Sequence, residues 1–421
     1  MRALQPIPKD KPIDSTMGFL RDGYLFISKR MKENQTEVFS ARFFGKKIFF
    51  IRGKEAAQLF YNEEFFKRKG VCPMRVQKTL FGKKGIQGLD GKVHKSRKSL
   101  FMSLLTPEYE KEFLKKCQMN LNRYAPRWER MSSIVLYKES QKVLFESVCQ
   151  WVGISYDKKK VGEYAEGMGL MIYGFGRMGK TYQKGKAARK QAEKWVRSSV
   201  IAVREGALII EESSPLYQIS MYEENGGKLD PNVAAVEIIN MIRPIIAIAT
   251  FITFEALALK HYPECKEELT KRDPMYLEMF CEEVRRFYPF APFIGAKVKC
   301  DFVWKNYVFK KKSLVILDLY GTNHDPKLWI RSNQFRPERF VERKKDLYDF
   351  IPQGGGNIRS GHRCAGDVIT LKVMEVFADY LVNHLEYDIP KQNLGYSLQR
   401  IPTLPKSGFV MKNVKLKKTG L

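Results

Sequence analysis

The chain has 421 residues, of which 44% are hydrophobic and 13% aromatic, and it carries a formal net charge of +28 at pH 7. That much apolar material excludes a disordered basic tail and supports a large core with room for a cavity. The charge admits nucleic acid, an anionic membrane surface, an acidic protein or an anionic small molecule as partners; Lys and Arg are spread along the whole length without a nucleic-acid motif, so a solvated basic surface and no nucleic-acid partner are expected.

The first twenty residues lack an apolar signal segment, and nowhere do about 18 apolar residues follow one another without interruption. A soluble protein is expected, with weak contact to a membrane surface left open. Residues 37–52, EVFSARFFGKKIFFIR, cluster Phe, Val and Ile around a Gly-Lys-Lys turn and predict a β-hairpin. From about Thr106 to Asn383 the periodic segments are mostly helical, as in PEYEKEFLKKCQMNLNRYAPRWERM and MYLEMFCEEVRRFY. Between Phe293 and Leu319 the pattern turns to short strands, and LKVMEVFADYLVNHL after them predicts one more amphipathic helix. No repeat or low-complexity linker divides the chain. One domain over residues 1–421 is expected, mainly α with small β-sheets near 37–60 and 293–320.

The seven cysteines, Cys72, Cys117, Cys149, Cys265, Cys281, Cys300 and Cys364, form no C-x-x-C pair and no regular framework. Disulfides and zinc are therefore not expected, and a reducing cytoplasm is. Cys364 differs from the others in its surroundings, FIPQGGGNIRSGHRCAG, where three glycines and Arg359, His362 and Arg363 precede it. A thiol just ahead of a helix start and among cations is expected to ionise easily. On these residues alone, a buried inert cysteine is the default.

Residues from about Asn232 to Tyr262 would span about 45 Å as one helix. Its middle, IINMIRPIIAIATFITF, has Arg243 as its sole charge, followed by Pro244. A buried guanidinium needs a hydrogen-bonded partner. Three readings stay open: a carboxylate elsewhere in the protein, a helix that stops at the surface, or the carboxylate of a ligand gripped by a planar fork. Pro244 removes a backbone donor and frees the carbonyl of Asn240, which predicts a kink.

Three motifs then follow in one order. Glu283 and Arg286 stand three apart on one helical face in CEEVRRFYPF, Arg339 sits in NQFRPERF, and Cys364 closes the glycine loop. E-x-x-R alone is a common surface pair. Together the three resemble the cytochrome P-450 superfamily, and TLFGKKGIQGLDGKVH, RPIIAI, EVRRFYPFAPFIGA, LDLYGTNHDP and IPQGGG are similar to its bacterial fatty acid peroxygenases. The usual cysteine loop has Phe seven residues before the Cys, where this chain has Asn357, and the usual acid and alcohol of the central helix are replaced by Arg243-Pro244. Both departures fit the peroxygenase branch.

The resemblance implies a cytochrome P-450 fold holding haem b (iron protoporphyrin IX), with Cys364 as axial ligand to the iron. It implies that His94, Lys98, His362 and Arg68 meet the haem propionates, and that Glu283, Arg286 and Arg339 form a structural ion-pair network. Hydrogen peroxide is then the co-substrate, no redox partner is obligatory, and a long-chain fatty acid held by Arg243 brings its own carboxylate as acid-base. Anchoring the head group would place Cα and Cβ for hydroxylation. Gln87, where relatives that make terminal alkenes have His, implies that decarboxylation is the minor exit. Phe81, Phe290 and Phe293 are expected to wall the pocket and acyl channel. The rivals are a reductase-fed monooxygenase and a haem-binding sensor without catalysis.

Overall fold

The computed structural model describes residues 4–43, 45–341 and 343–417. The predicted hairpin is present as β1 (Val38–Phe43) and β2 (Lys46–Ile51), antiparallel, with Val38 opposite Ile51. It joins a sheet whose remaining strands are β3 (Phe66–Lys67), β4 (Phe293–Val298) and β5 (Leu314–Asp318), in the order β1-β2-β5-β4-β3. β5 lies parallel to β2 and antiparallel to β4, so Leu317 pairs with Ile51 on one side and Ile294 on the other. The two β-rich regions read from the sequence are thus halves of one sheet. Residues 54–60, inside the first of them, are helical instead; KEAAQLF lacks the alternation a strand needs, and Ala56, Ala57 and Phe60 turn one stripe inward.

Seven helices position the site: α1 (Gly91–Ser103), α2 (Val161–Gly174), α3 (Gly179–Arg204), α4 (Pro231–Ala247), α5 (Ala249–His261), α6 (Pro274–Phe287) and α7 (Asp367–Asp379). α4 begins where Asp230 accepts hydrogen bonds from the amides of Asn232 and Val233, with Pro231 at the first helical position. The helix runs through Pro244, and a single residue, Ile248, separates α4 from α5. The helical hydrogen bonding is thus interrupted one turn beyond the proline, at a residue that keeps helical backbone angles.

Residues Pro231–His261 are long and apolar enough to cross a membrane, yet they are almost wholly buried within the protein. Ile238, Ile239, Ile242, Ile246, Phe251 and Phe254 are all at 2% exposure or less, and they belong to one large helical core. Two smaller apolar clusters lie under the sheet, one of them built on Phe26, Phe39 and Phe50.

Candidate functional site

The glycine loop is shaped by Tyr61. Gly354 and Gly356 hold φ of +95° and +82°, conformations that L side chains resist. A Cβ on Gly354 would sit 2.7 Å from the Tyr61 hydroxyl oxygen, and one on Gly355 would be 2.8 Å from the Leu347 carbonyl and 3.2 Å from the Tyr61 ring. The glycines thus admit an aromatic ring against the loop, a role the sequence did not disclose.

Cys364 leaves the loop three residues before α7, its N–H donating to the Gln353 carbonyl at 3.2 Å. The Gln353 side chain donates to the Cys364 sulfur at 3.8 Å and to Thr370 Oγ1 at 3.1 Å, and accepts from Arg285 at 2.8 Å. The loop is less cationic than its sequence suggests, because Arg363 and Arg285 both pair with buried Asp367. Burial pushes the Cys364 thiol up, and Asp367 adds to this against the Gly366 amide, Lys98 and Arg285. The expectation of an easily ionised thiol is therefore corrected: burial outweighs the nearby cations, and Asp367, three residues after the cysteine, takes up part of the arginine charge.

On the same side, His94 and Lys98 lie one turn apart on α1, both buried. Lys98 Nζ donates to the Arg363 carbonyl at 2.5 Å, and burial brings its pKa down to about 8. The His94 ring stacks on His362 with centroids 3.9 Å apart, and His362 Nε2 is 3.6 Å from Asp90. Asp90 also accepts the backbone N–H groups of Arg68 and Lys69. Burial, then the charges of His362 and Lys98, bring His94 down to about 3. Arg68 lies over the Phe60 ring at 4.2 Å, and burial brings it down to about 10.

Two buried polar atoms here, His94 Nδ1 and Arg68 Nε, have no hydrogen-bond partner. Cys364 keeps part of its surface accessible. A soft sulfur ligand on one side and a group of under-partnered cationic and imidazole side chains beside it fit a haem with two propionates. The chain brings Cys364, His94, Lys98, His362 and Arg68 into one neighbourhood.

Arg243, on α4, lies within electrostatic reach of Cys364. Arg243 is 6% exposed, its guanidinium 5.8 Å from the Phe81 ring centroid, its Nε without a partner. Among the described residues no carboxylate lies within ion-pair distance of it. Burial, with the charge of Arg189 adding, brings Arg243 down to about 9, and a Cys364 thiolate acts the other way. Of the three readings of Arg243, pairing with a described carboxylate and a surface position are thereby removed. The acid nearest in sequence, Glu237, is committed elsewhere: it accepts from Arg97 at 2.9 Å, the Ile86 amide at 2.8 Å and Asn240 at 3.0 Å.

Asn240 also donates to Gln87 Oε1 at 3.3 Å, so a continuous polar chain joins Gln87 to Asn240, Glu237, Arg97 and Glu224. Arg189 on α3 clamps the turn that carries Phe81, donating to the Leu80 carbonyl at 3.1 Å. Phe290 stacks on Phe251 of α5 with centroids 4.3 Å apart. Phe293 lies elsewhere, edge-on to Phe19 at 5.7 Å and packed on the Phe26, Phe39 and Phe50 cluster.

Behind the site, Glu283 receives Arg286 at 2.7 Å and Arg339 at 3.0 Å, and Arg286 also caps the carbonyls of Asn323 and Ser332. This fixes α6 to the segment around 330–340.

The whole chain superimposes on the solved structure of Cytochrome P450EX alpha (CYP152N1) with myristic acid, with a TM-score of 0.95 and 39% sequence identity, covering 98% of this chain and 100% of that one. The chain belongs to the cytochrome P-450 superfamily, in its CYP152 family. A variant of cytochrome P-450 OleT in complex with arachidonic acid matches with a TM-score of 0.96 at 35% identity, over 99% of this chain and all of that one. The Cytochrome P-450 family profile matches residues 268–417, which hold the Glu283, Arg286, Arg339 and Cys364 motifs. By sequence, cytochrome P-450 1A2 of Callithrix jacchus is 28% identical over 221 residues, 46% of this chain and 41% of that protein. The mainly helical cytochrome P-450 fold with small sheets is as expected.

The residues that sequence reading missed in this CYP152 chain are Tyr61, Gln353, Arg97, Glu237, Asn240 and Arg189. Glu237 had a signal, since it is an acid one residue before the apolar run that holds Arg243.

Proposed function

We propose that this chain is a haem-thiolate peroxygenase that uses hydrogen peroxide to hydroxylate long-chain fatty acids at the α and β carbons, with some oxidative decarboxylation to terminal alkenes. The observation that carries the reading is Arg243: a buried guanidinium, without a described protein carboxylate, within electrostatic reach of Cys364. The CYP152 structures solved with myristic and arachidonic acid support a fatty acid carboxylate as its partner.

Cys364, with Arg68, His94, Lys98 and His362 beside it, would hold haem b, which would supply the oxygen-transfer chemistry when bound. The protein supplies position and protons. Arg243 binds the carboxylate in an apolar surrounding where a charged, two-pronged hydrogen bond is strong. That carboxylate can then accept a proton and return it, the part an acidic side chain plays in other cytochromes P-450. Phe81 packs against the guanidinium and Phe290 against α5, so apolar rings border the space beside the head group. Gln87, tethered to Asn240, presents an amide where histidine would present a titratable proton donor, which favours hydroxylation over loss of carbon dioxide.

The chain acts as one unit, needs no redox partner and works in the cytoplasm; its seven cysteines are all free. Purified holoenzyme with hydrogen peroxide and a long-chain fatty acid should give 2- and 3-hydroxy acids by mass spectrometry. Arg243→Ala should keep the haem-thiolate spectrum, lose most turnover, and recover part of it when a short carboxylic acid is added. Product formed solely with NADPH and redox proteins would replace this reading with a reductase-fed monooxygenase; no product and no fatty-acid-induced spectral change would leave a haem-binding sensor.

A further inference from the structure

The unpartnered Nε of Arg243 has a neighbour of opposite polarity. Asn240, three residues earlier and so on the same face of α4, is 6% exposed, and its Oδ1 is buried without a hydrogen-bond partner. Along α4 these are the two buried side-chain atoms left without one. One is a donor and the other an acceptor. A fatty acid carboxylate, which accepts only, answers the first and cannot answer the second.

Glu237 decides which end of the Asn240 amide is left over. Its Oε1 accepts from the Ile86 amide at 2.8 Å and from Arg97 Nη1 at 2.9 Å, and its Oε2 accepts from Asn240 Nδ2 at 3.0 Å. A carboxylate paired with a guanidinium offers acceptors only, so the NH2 of Asn240 must face it and Oδ1 must face away. The same NH2 donates to Gln87 Oε1 at 3.3 Å, which leaves the NH2 of Gln87 without a protein acceptor among the described residues. One buried carboxylate thereby orients two amides in series. Packing holds them beside the Arg243 site: a Cβ on Gly85 would lie 2.9 Å from Asn240 Nδ2, 3.1 Å from Gln87 Oε1 and 3.1 Å from the carbonyl of Phe81. The ring of that same Phe81 is 5.8 Å from the Arg243 guanidinium.

We propose that Asn240 Oδ1, turned away from Glu237, accepts a hydrogen bond from an O–H of hydrogen peroxide, and that Glu237 is the positioning residue of this co-substrate subsite. The proposal rests on the peroxygenase reading given above, in which peroxide is the small hydroxyl donor that arrives beside the carboxylate. Each peroxide oxygen both donates and accepts, so the same molecule can also answer the NH2 of Gln87. Glu237→Gln perturbs the arrangement with almost no change of shape. Its oxygen stays committed to Ile86 and Arg97, so its new NH2 replaces Oε2 and faces Asn240. Two NH2 groups cannot bond each other, and the Asn240 amide turns over to present a donor where the acceptor stood. Arg97 keeps both of its hydrogen bonds to Glu224.

The test is steady-state kinetics of holoenzyme at a saturating long-chain acid with hydrogen peroxide varied, beside the fatty acid Kd from spectral titration without peroxide. Wild type is compared with Glu237→Gln, Asn240→Leu and the double variant. Each single variant should lower kcat/KM for peroxide about 3- to 10-fold, the worth of one neutral hydrogen bond, and leave the fatty acid Kd within about twofold of wild type. The double variant should fall no further than Asn240→Leu, because Glu237 acts through that amide. Additive losses, or a fatty acid Kd that weakens in step, would overturn the proposal. So would a kcat/KM for peroxide at the wild-type level, which would leave Oδ1 to a structural water. Wild type that forms no product with peroxide would fail the proposed function and this subsite with it, whereas wild type that turns over beside insensitive variants would fail the subsite alone.

Discussion

Replacing Arg243 by methionine should stabilise the fatty-acid-free holoenzyme and remove most of the further stabilisation that a fatty acid gives wild type. A guanidinium brought down to about 9 by burial is held charged at a penalty of about 5 kcal/mol relative to water. Part of that is recovered when a carboxylate arrives, though the carboxylate is itself desolvated, so truncation should lose about 2–4 kcal/mol of binding, or about 30- to 1000-fold in Kd. In the free protein the same change removes an uncompensated charge from an apolar helix and replaces it with an unbranched apolar chain, a gain of about 1–4 kcal/mol by analogy with buried ionic groups exchanged for apolar ones. Thermal unfolding with and without a long-chain acid reads both effects. Without acid, Arg243→Met should melt higher by a degree or more; at a hundredfold excess over the wild-type Kd, wild type gains about 2.7 kcal/mol and the variant little, so the variant's advantage should fall by about 2 kcal/mol or more and change sign where it is smaller than that. A variant that melts lower than wild type without acid, and is raised equally by it, would show that Arg243 has a protein partner and serves the fold.

Gln87→His should raise the ratio of terminal alkene to hydroxy acid in product analysis, since imidazole adds a titratable donor at the end of the Asn240 tether; an unchanged ratio would remove this position from control of the branch. Glu283→Ala should cost about 3–5 kcal/mol in denaturant unfolding, because it leaves buried Arg286 and Arg339 without their acid; a loss near that of an exposed pair, about 0–1 kcal/mol, would contradict the geometry. Glu255, buried on α5 with the Cys281 thiol 3.5 Å away and no cation beside it, has its pKa pushed well above the usual range by burial. Its carboxyl therefore contributes stability in full below the unfolded value of about 4.3, and this is lost as pH rises toward the folded value. The melting temperature of Glu255→Gln minus that of wild type should accordingly grow between pH 5 and pH 8, and a flat difference would refute a buried neutral acid.

Local patterns were legible in the sequence, and partnerships between distant segments were not. The hairpin, the buried helix, the E-x-x-R pair and the cysteine ahead of α7 all lie within a few residues of their own signals. Arg97 and Glu237 are 140 residues apart, and Tyr61 meets glycines nearly 300 residues later; neither side of such a contact changes the periodicity around it. The error over the Cys364 thiol has the same origin at shorter range. Counting Arg359, His362 and Arg363 as a cationic field ignores that Asp367, three residues past the cysteine and one turn past Arg363, pairs with Arg363 and with Arg285 from another helix. Phe293 shows the limit for apolar residues: an aromatic in a strand is buried on one face or the other, and the register of β4 against β5 decides which.

What separates the site from the scaffold is how each buried cation is balanced. Arg286, Arg285 and Arg97 are each 3% exposed or less and each holds at least one carboxylate, and removing the acid from such a pair strands a charge. Arg68, Lys98 and Arg243 are as deeply placed and have hydrogen bonds to carbonyls or ring contacts, with no described carboxylate at ion-pair distance. A fold does not keep three such groups for stability, because each lowers it. In the proposed function, what neutralises them comes from outside the chain: two haem propionates for Arg68 and Lys98, and a substrate carboxylate for Arg243. The two kinds of buried cation respond oppositely to the same experiment. Apolar replacement should destabilise the paired ones under all conditions and the unpaired ones solely when their anion is bound, so the sign of the change in stability, measured with and without ligand, assigns each cation to the scaffold or to the site.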